Sequence, residues 1–540
     1  MRFRWSLVLV ACLADCASPS PGGERYARRP NIVVILADDL GFSDLGCYGS
    51  EIATPNIDRL AREGVRMAQF YNAGRCCPSR ACLLTGLYPH QAGVGHMVAD
   101  RHTPSYQGYL NDRCVTIAEA LKPSGYQTLM VGKWHVGNDR PHWPVDRGFD
   151  RSIALIGSGR HYFMIPPGRI LTDGENPCVP PADGFYITDY FSQKAVDLLD
   201  LAGRGEKPFF LYVAYTAPHW PLHARAEDIA RYRTTFAAGW DALREARHRR
   251  VIEEGLVRPE WPLSPRDPRV PPWTDSPDRQ WQAERMAVYA AQVECLDRGV
   301  GRIVQKLRDL GTLDNTLVLF LSDNGGCSEE ITGEGRWLED DIPKKTAEGR
   351  PIRVGNTPAI FPGPADTFAS YGVGWANVSN TPFRLYKSWV HEGGIATPFI
   401  AHWPAVLGPG GLIETPGHLV DLLPTCLDAA RAEVPGSRAG RALLPLEGKT
   451  LLPLLQGQAA PQPRVFFWEH EGNRAVREGP WKLVAVNQGD WELYNLDQDR
   501  TELRNRAAEE PGRVRDLVAR YDEWARRSGV LPWTEGHITK

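Results

Sequence analysis

The sequence has little net charge and no internal repeat. Its 62 lysine and arginine residues nearly balance 65 acidic residues, which gives a formal net charge of −3 and an isoelectric point near 6.6. This balance gives no global reason to expect a nucleic acid or an anionic membrane surface as a partner. The 44 prolines and 52 glycines argue against a coiled coil or a repeat array. These absences leave a loop-rich globular protein, and 540 residues predict two domains of unequal size.

The N-terminus has no apolar run long enough to span a bilayer. Arg2 and Arg4 precede the short apolar run Trp5–Ala14, an order that is typical of a signal peptide. Leu9–Cys12 resembles a bacterial lipobox, which would leave a lipidated Cys12. Cys16 is a weaker lipid site, because an acidic residue precedes it. We therefore expect residues 1–28 to export the protein to the periplasm, with plain secretion and a lipid anchor at the cell envelope as alternatives.

Apolar runs alternate with helix-like segments, which predicts an α/β domain with a large, mostly parallel central sheet flanked by helices. Four of these runs are followed by polar side chains: Asn31–Ala37 by Asp38 and Asp39, Tyr126–Val131 by Lys133 and His135, Pro208–Tyr215 by His219, and Thr316–Leu321 by Asp323 and Asn324. In open α/β sheets the ligand crevice lies outside the carboxyl ends of the strands. We therefore expect these side chains to converge.

Four of these residues offer oxygen ligands only: Asp38, Asp39, Asp323 and the side-chain oxygen of Asn324. Hard divalent cations such as Ca²⁺ or Mg²⁺ prefer this set, whereas zinc and copper favour histidine and cysteine. Without a cation, three neighbouring carboxylates would repel one another and raise their pKa values. The alternative is that both short motifs form turns, for which their Asp, Asn and Gly residues are also suited.

The segment Cys76-Cys77-Pro78-Ser79-Arg80, with Thr85-Gly86 after it, is the most informative motif. Pro78 favours the first turn of a helix, which places Cys76 at the positive helix end. Arg80 lies one helical turn further on. Both the helix N-terminus and the Arg80 guanidinium would therefore stabilise an anion at residue 76. Buried thiols or a zinc cluster formed with Cys82 are alternatives. The zinc cluster is disfavoured by the Cys-Cys adjacency, and no His-x-x-x-His follows at the spacing of a zinc finger.

This segment resembles the Cys-x-Pro-Ser-Arg signature of the type I sulfatases, the formylglycine-dependent enzymes of the alkaline-phosphatase-like superfamily. Further landmarks of that family occur in order along nearly the whole chain, among them Asp38–Gly41, Glu392–Pro398 and Trp491–Leu496. Within the family, the chain looks most similar to the bacterial arylsulfatases. The resemblance implies that Cys76 is oxidised to formylglycine by a maturation enzyme. It also implies one Ca²⁺ ion held by Asp38, Asp39, Cys76, Asp323 and Asn324.

The same resemblance assigns catalytic roles to Cys76, Arg80, Lys133, His135, His219 and Lys387. The last of these ends the family-like segment Asn380–Lys387. Fixed cations and a metal would stabilise the charge that spreads over the sulfate oxygens during displacement. For a lone residue, a surface lysine or a packed core histidine would be the simpler explanation.

The resemblance implies hydrolysis of a sulfate ester, an aryl sulfate or a related small-molecule or sugar sulfate, to inorganic sulfate and an alcohol or phenol. One alternative is a phosphonate monoester hydrolase or phosphodiesterase on the same scaffold. Another is a catalytically silent protein that binds sulfated glycans. Relative rates on sulfate and phosphonate esters separate the first alternative, and an unmodified Cys76 would favour the second.

The catalytic domain is expected to span residues 29–440 and a C-terminal α+β subdomain residues 441–540. The predicted boundary lies between Ala430 and Leu451, in a stretch that contains Gly and Pro. The tail carries four short strand patterns and a helical pattern from Pro511 to Arg526, which predicts a small antiparallel sheet with a closing helix. Of eleven cysteines, eight remain after Cys12, Cys16 and Cys76, and the sequence does not define their pairing.

Overall fold

The computed structural model describes residues 28–159, 161–332, 342–458, 464–487 and 489–533. The predicted export segment, with Cys12 and Cys16, lies outside these residues. Within the described ranges, no helix is both long enough and apolar enough to cross a bilayer. The nine cysteines of the described ranges are all unpaired thiols.

Within the described part of the chain, twenty strands form one large sheet and four small ones. They are β1 Asn31–Asp38, β2 Val65–Met67, β3 Phe70–Tyr71, β4 Gln127–Lys133, β5 Arg151–Ile156, β6 Ile170–Asp173, β7 Asn176–Pro177, β8 Phe209–Pro218, β9 Thr316–Ser322, β10 Arg353–Val354, β11 Thr367–Phe368, β12 Phe399–His402, β13 Gly411–Ile413, β14 Gly417–His418, β15 Ser437–Arg438, β16 Arg441–Ala442, β17 Val465–His470, β18 Asn473–Glu478, β19 Trp481–Ala485 and β20 Glu492–Asn495.

The large sheet has ten strands in the order β13-β2-β12-β9-β1-β8-β4-β5-β6-β7. Its centre, from β9 to β5, is entirely parallel, whereas β12, β6 and β7 pair antiparallel with their neighbours. The α/β prediction with a mostly parallel centre is therefore confirmed, and the complete sheet is mixed. The four strands predicted before the polar side chains are β1, β4, β8 and β9, which are adjacent in this centre.

The strand β1 shows why the sheet is buried on both faces. Val33, Ile35 and Ala37 point into one apolar core, and the alternate residues Ile32, Val34 and Leu36 point into a second. Such a continuous apolar run is typical of a parallel strand covered by helices on both sides. All six of these side chains are fully buried.

Helices pack on the large sheet and on the C-terminal sheet. They are α1 Pro55–Glu63, α2 Cys76–Thr85, α3 Pro89–Ala92, α4 Ile117–Leu121, α5 Ile187–Ala202, α6 Ala226–Ala230, α7 Gly239–Glu253, α8 Arg279–Asp309, α9 Gly372–Ser379, α10 Glu392–Ile395, α11 Leu422–Ala430, α12 Leu452–Leu455 and α13 Pro511–Ser528. Helices α5 and α8 pack on β8 and on each other, on the face of the first core. Helices α2, α4 and α11 contribute to the second core.

The strands β17 to β20 form a separate four-stranded antiparallel sheet, against which α13 packs. This arrangement confirms the predicted small C-terminal sheet with a closing helix. A buried ionic network joins this sheet to the catalytic part. Lys482 on β19 bonds Glu392 of α10 at 2.9 Å and Glu502 at 2.8 Å, and Arg500 bonds Glu392 at 2.9 Å. The domain boundary near residue 440 stays a prediction.

Candidate active site

The carboxyl ends of β1 and β9 bring three carboxylates together. Ala37 of β1 lies opposite Ser322 of β9, so Asp38 and Asp39 emerge beside Asp323. The backbone amide of Asp39 donates to Asp323 Oδ1 at 3.2 Å. All three residues are at most 1% exposed. The sheet register therefore explains how acidic residues almost three hundred positions apart share one buried site.

Each carboxylate contacts a cation from another element. Lys133, the last residue of β4, donates to Asp38 Oδ2 at 2.6 Å. Arg80 on α2 donates to Asp323 Oδ2 at 2.7 Å, and the Lys387 ammonium donates to Asp39 Oδ2 at 2.9 Å. Buried charges of opposite sign at these distances compensate much of one another's desolvation cost.

Two oxygens in this cluster have no hydrogen-bond partner among the described residues: Asp38 Oδ1 and Asn324 Oδ1. Asn324 instead donates through its Nδ2 to Asp39 Oδ1 at 2.6 Å. Unpaired buried oxygens are costly, and a hard divalent cation satisfies such atoms directly. Burial, and then the neighbouring Asp38, raise the pKa of Asp323 well above its usual range. A cation would offset that repulsion, so these residues fit Ca²⁺ or Mg²⁺.

The first residue of α2 is Cys76, with Arg75 at the N-cap and Pro78 in the first turn. The thiol is 2% exposed. A hydrogen bond with Cys77, together with the charge of Lys133, lowers the pKa of Cys76 well below its usual value. The helix N-terminus adds to this preference for negative charge. The predicted anion-favouring environment is therefore present.

His135 lies beside Cys76 in a left-handed backbone conformation, with φ of 58°. Burial, and then the charge of Lys133, lower its pKa to about 4. The ring is therefore neutral at pH 7, and its Nδ1 has no partner among the described residues. Cys76, Cys77 and His135 bring three donor atoms within 4.8 Å of one another, so the thiolate-metal alternative is geometrically possible.

His219 and Lys387 face the carboxylates together. His219 Nε2 lies 3.2 Å from Lys387 Nζ and 3.5 Å from Asp39 Oδ2. Its Nδ1 lies 2.6 Å from the Trp220 carbonyl, so that nitrogen carries the hydrogen and Nε2 presents a lone pair to the ammonium. Burial, and then Lys387, hold the pKa of His219 well below its usual range. The ring is neutral at pH 7.

The structure thus gathers every residue that the sequence analysis proposed for catalysis or metal binding into one buried cluster. It also adds residues that the sequence reasoning missed. Arg75 donates to Glu329 Oε1 at 2.9 Å and to Ser388 Oγ at 2.6 Å, and Trp220 Nε1 donates to Glu329 Oε2 at 2.8 Å. No local motif marks Glu329. Only its position six residues after Asp323 could have pointed to the site.

Comparison with known proteins identifies related chains. A family model described as Sulfatase matches residues 30–432, and one described as N-sulphoglucosamine sulphohydrolase, C-terminal, matches residues 383–520. An uncharacterised sulfatase of Schizosaccharomyces pombe is 36% identical over 94% of this chain and 95% of its own length. The arylsulfatase of Klebsiella aerogenes is 34% identical over 80% of this chain and 93% of its own.

Solved structures are similar over most of their length as well. The crystal structure of Ps i-CgsB in complex with k-i-k-neocarrahexaose has a TM-score of 0.67 and 27% identity, and the match covers 92% of this chain and 93% of that chain. BT4656 in complex with its substrate D-glucosamine-2-N,6-O-disulfate has a TM-score of 0.64 at 21% identity and shares the fold. The similarity therefore covers both the large sheet and the C-terminal sheet.

Proposed function

Because the chain belongs to the sulfatase family and is a sulfuric ester hydrolase, we propose that it cleaves aryl or sugar sulfate esters through Cys76 converted to formylglycine, with Ca²⁺ at the carboxylate cluster. The observation that carries this proposal is the pair of unpaired oxygens of Asp38 and Asn324 within the cluster that also holds Cys76. A maturation enzyme of the host would perform the oxidation. Formylglycine supplies, as its hydrate, two hydroxyls on one carbon. Ca²⁺, when bound, supplies positive charge for the sulfate oxygens.

The proposed binding site for the sulfate group is formed by fixed cations. Lys133 and Lys387 are both buried and already oriented by Asp38 and Asp39. Arg80 holds Asp323 in place and donates to the Lys133 carbonyl at 2.9 Å. Such preorganised charges need no reorientation as negative charge develops on the sulfate oxygens.

Proton transfers are assigned from the same contacts. Asp323 would take the proton of the attacking hydroxyl, because its carboxylate lies in the same buried cluster as residue 76. Lys387 would protonate the leaving oxygen, with the neutral His219 ring accepting a hydrogen bond from its ammonium, and phenols need this help least. His135 would remove a proton from the second hydroxyl, because its ring is neutral beside residue 76. That last transfer releases inorganic sulfate and restores the aldehyde.

We also propose that the protein is exported and acts in the periplasm or on a lipid anchor at the cell envelope, on the evidence of the N-terminal sequence alone. Globomycin treatment of expressing bacteria tests the anchor. Accumulation of the uncleaved precursor supports lipidation of Cys12 or Cys16, whereas unchanged processing supports plain secretion.

The proposal is tested by comparing rates on 4-nitrophenyl sulfate and on a 4-nitrophenyl phosphonate monoester, which share one leaving group. We expect faster hydrolysis of the sulfate, lost in Cys76→Ala. Faster hydrolysis of the phosphonate would favour the phosphonate monoester hydrolase instead. Activity retained in Cys76→Ala would remove residue 76 from the mechanism.

A further inference from the structure

The tip of one C-terminal hairpin lies against the catalytic cluster. Strands β17 and β18 are joined by Glu471 and Gly472, both in the left-handed region, with φ of 52° and 79°. Asn473 Nδ2 donates to the Ser388 carbonyl at 3.1 Å, and the Ser388 amide donates to the Gly74 carbonyl at 2.8 Å. This chain of contacts places the hairpin tip next to the segments that carry Cys76 and Lys387.

His470 at this tip is an unexplained buried polar group. It is fully buried, and neither Nδ1 nor Nε2 has a hydrogen-bond partner within the described ranges. The Glu471 carboxylate lies 3.7 Å from Nε2. Burial lowers the pKa of His470 to about 3, and the charges of Arg75 and Cys76 also act on it. His470 therefore carries one N–H and one lone pair, both without a partner, close enough to residue 76 for a charge there to act on the ring. A buried N–H and a buried lone pair without hydrogen-bond partners both destabilise the folded protein.

The neighbouring ring of His96 is fully satisfied. Arg101 Nη2 donates to His96 Nδ1 at 3.0 Å, so Nε2 carries the hydrogen toward Glu471 Oε1 at 2.9 Å. The His96 and His470 rings stack, with centroids 5.4 Å apart and planes 12° from parallel, and the Trp533 ring centroid lies 4.8 Å from that of His96. His470 thus packs beside a ring whose own nitrogens are already hydrogen-bonded.

A metal ion shared by His96, His470 and Glu471 fits this cluster poorly, although donor atoms of the three residues lie within 4.8 Å of one another. Metal binding at His96 Nε2 needs a hydrogen on Nδ1, which would face the Arg101 guanidinium. Arg75 acts on the pKa of His470 and Glu471, and Arg101 on that of His96, so positive charge already surrounds the cluster. A neutral partner that both donates and accepts hydrogen bonds fits it better.

We propose that His470 determines substrate specificity by hydrogen bonding to hydroxyl groups of the leaving alcohol, so that the preferred substrates are sulfate esters of polyhydroxylated alcohols. This inference rests on the proposed function, because it places the leaving group over residue 76. A hydroxyl can meet either ring nitrogen, since it both donates and accepts. A plain aryl leaving group would leave both nitrogens unpaired.

A matched pair of substrates tests this inference. 4-Nitrocatechol sulfate carries one hydroxyl next to the ester oxygen, and 4-nitrophenyl sulfate lacks it. The ratio of their kcat/KM values is measured in the wild type, in His470→Phe and in His470→Asn. The intrinsic reactivity of each ester cancels when ratios are compared between variants. His402→Phe is the control, because His402 is equally buried on β12 with an unpaired Nδ1.

We expect His470→Phe to lower the catechol-to-phenol ratio roughly tenfold, the size of one good hydrogen bond. His470→Asn, which keeps a donor and an acceptor, should retain part of the preference, and His402→Phe should leave the ratio unchanged. A ratio unaffected by His470→Phe would overturn the inference. If His470→Phe has a lower Tm than the wild type, His470→Leu gives the same comparison with a smaller side chain. Failure of the wild type on both esters would instead count against the proposed function.

Discussion

At the scale of single residues, charges of opposite sign compensate one another in a buried cluster. Lys133, Arg80 and Lys387 each contact a different carboxylate, so each of the three negative charges lies next to a positive one. His135 and His219 stay neutral because burial and neighbouring cations outweigh the nearby negative charge. Fixed cations and neutral bases can therefore coexist within a few ångströms at pH 7.

Replacing Cys76 by serine tests the need for a second hydroxyl. A serine hydroxyl can accept the sulfuryl group, but its carbon carries no second hydroxyl from which sulfate could be eliminated. We expect Cys76→Ser to release at most one equivalent of 4-nitrophenol per active site and then stop. The readout is a stopped-flow burst together with the mass of the sulfated protein. Steady turnover by this variant would contradict the proposed release step.

Sequence motifs identified the residues that touch the cluster directly, because each follows a strand or lies in a recognisable signature. Glu329, Arg75 and His470 were not identified. Their importance comes from contacts between loops and the C-terminal hairpin that are far apart in sequence. No spacing rule connects position 470 with position 76, so only the fold reveals that they are neighbours.

At the scale of elements, parallel pairing explains why the predicted side chains meet. Strands β4, β8, β1 and β9 are adjacent and end at the same edge of the sheet. The sequence predicted these strands to within about three residues at each end. It did not predict the antiparallel edges, because the short strands β6, β7 and β12 are defined by their partners rather than by a periodic pattern.

Gly132 shows how closely two central strands approach. Its φ is +112°, and a Cβ atom would lie 1.9 Å from the Ala214 carbonyl oxygen of β8. We expect Gly132→Ala to lower the free energy of unfolding by more than about 2 kcal/mol and to displace Lys133. Gly311→Ala is the control, since Gly311 has a φ of +65° but nothing within 4 Å. Its cost should stay near 1 kcal/mol. Urea unfolding of both variants measures the difference, and equal losses would refute the close-contact explanation.

At the scale of the whole molecule, the ionic network around Glu392 joins the two sheets. Burial alone would raise the pKa of Glu392, but Lys482 and Arg500 outweigh it and lower the pKa to about 2. Because the folded pKa lies below the unfolded value near 4.5, this contribution to stability is fully present above pH 4.5. It is lost as the pH falls toward 2.

Lys482→Met tests this connection, since it leaves Glu392 and Glu502 buried without their shared cation. We expect a loss of about 3–5 kcal/mol and a midpoint of acid unfolding at higher pH. Lys194→Met, at a half-exposed helical pair with Asp197, should change stability by less than about 0.5 kcal/mol. Acid titrations followed by circular dichroism compare them. Equal midpoints would mean that the network does not couple the sheets.

Removal of calcium tests the metal site through stability as well as through activity. A ligand that binds only the folded state stabilises it by about 2.7 kcal/mol at a hundredfold excess over its Kd. We therefore expect dialysis against a chelator to lower Tm, and added Ca²⁺ to restore it. In Asp38→Asn, which weakens the ligand set, this Ca²⁺-dependent shift should be smaller. A Tm that is insensitive to both treatments would speak against a resident cation.

The central claim is that residue 76 is an aldehyde in the active enzyme, and one mass spectrum tests it most directly. Trypsin cuts after Arg75 and Arg80, so residue 76 lies in the short peptide Cys76–Arg80. In protein that hydrolyses 4-nitrophenyl sulfate, we predict that this peptide has the mass of the formylglycine form and reacts with a hydrazide. A fully active enzyme whose peptide carries an intact, alkylatable thiol at Cys76 would contradict the account.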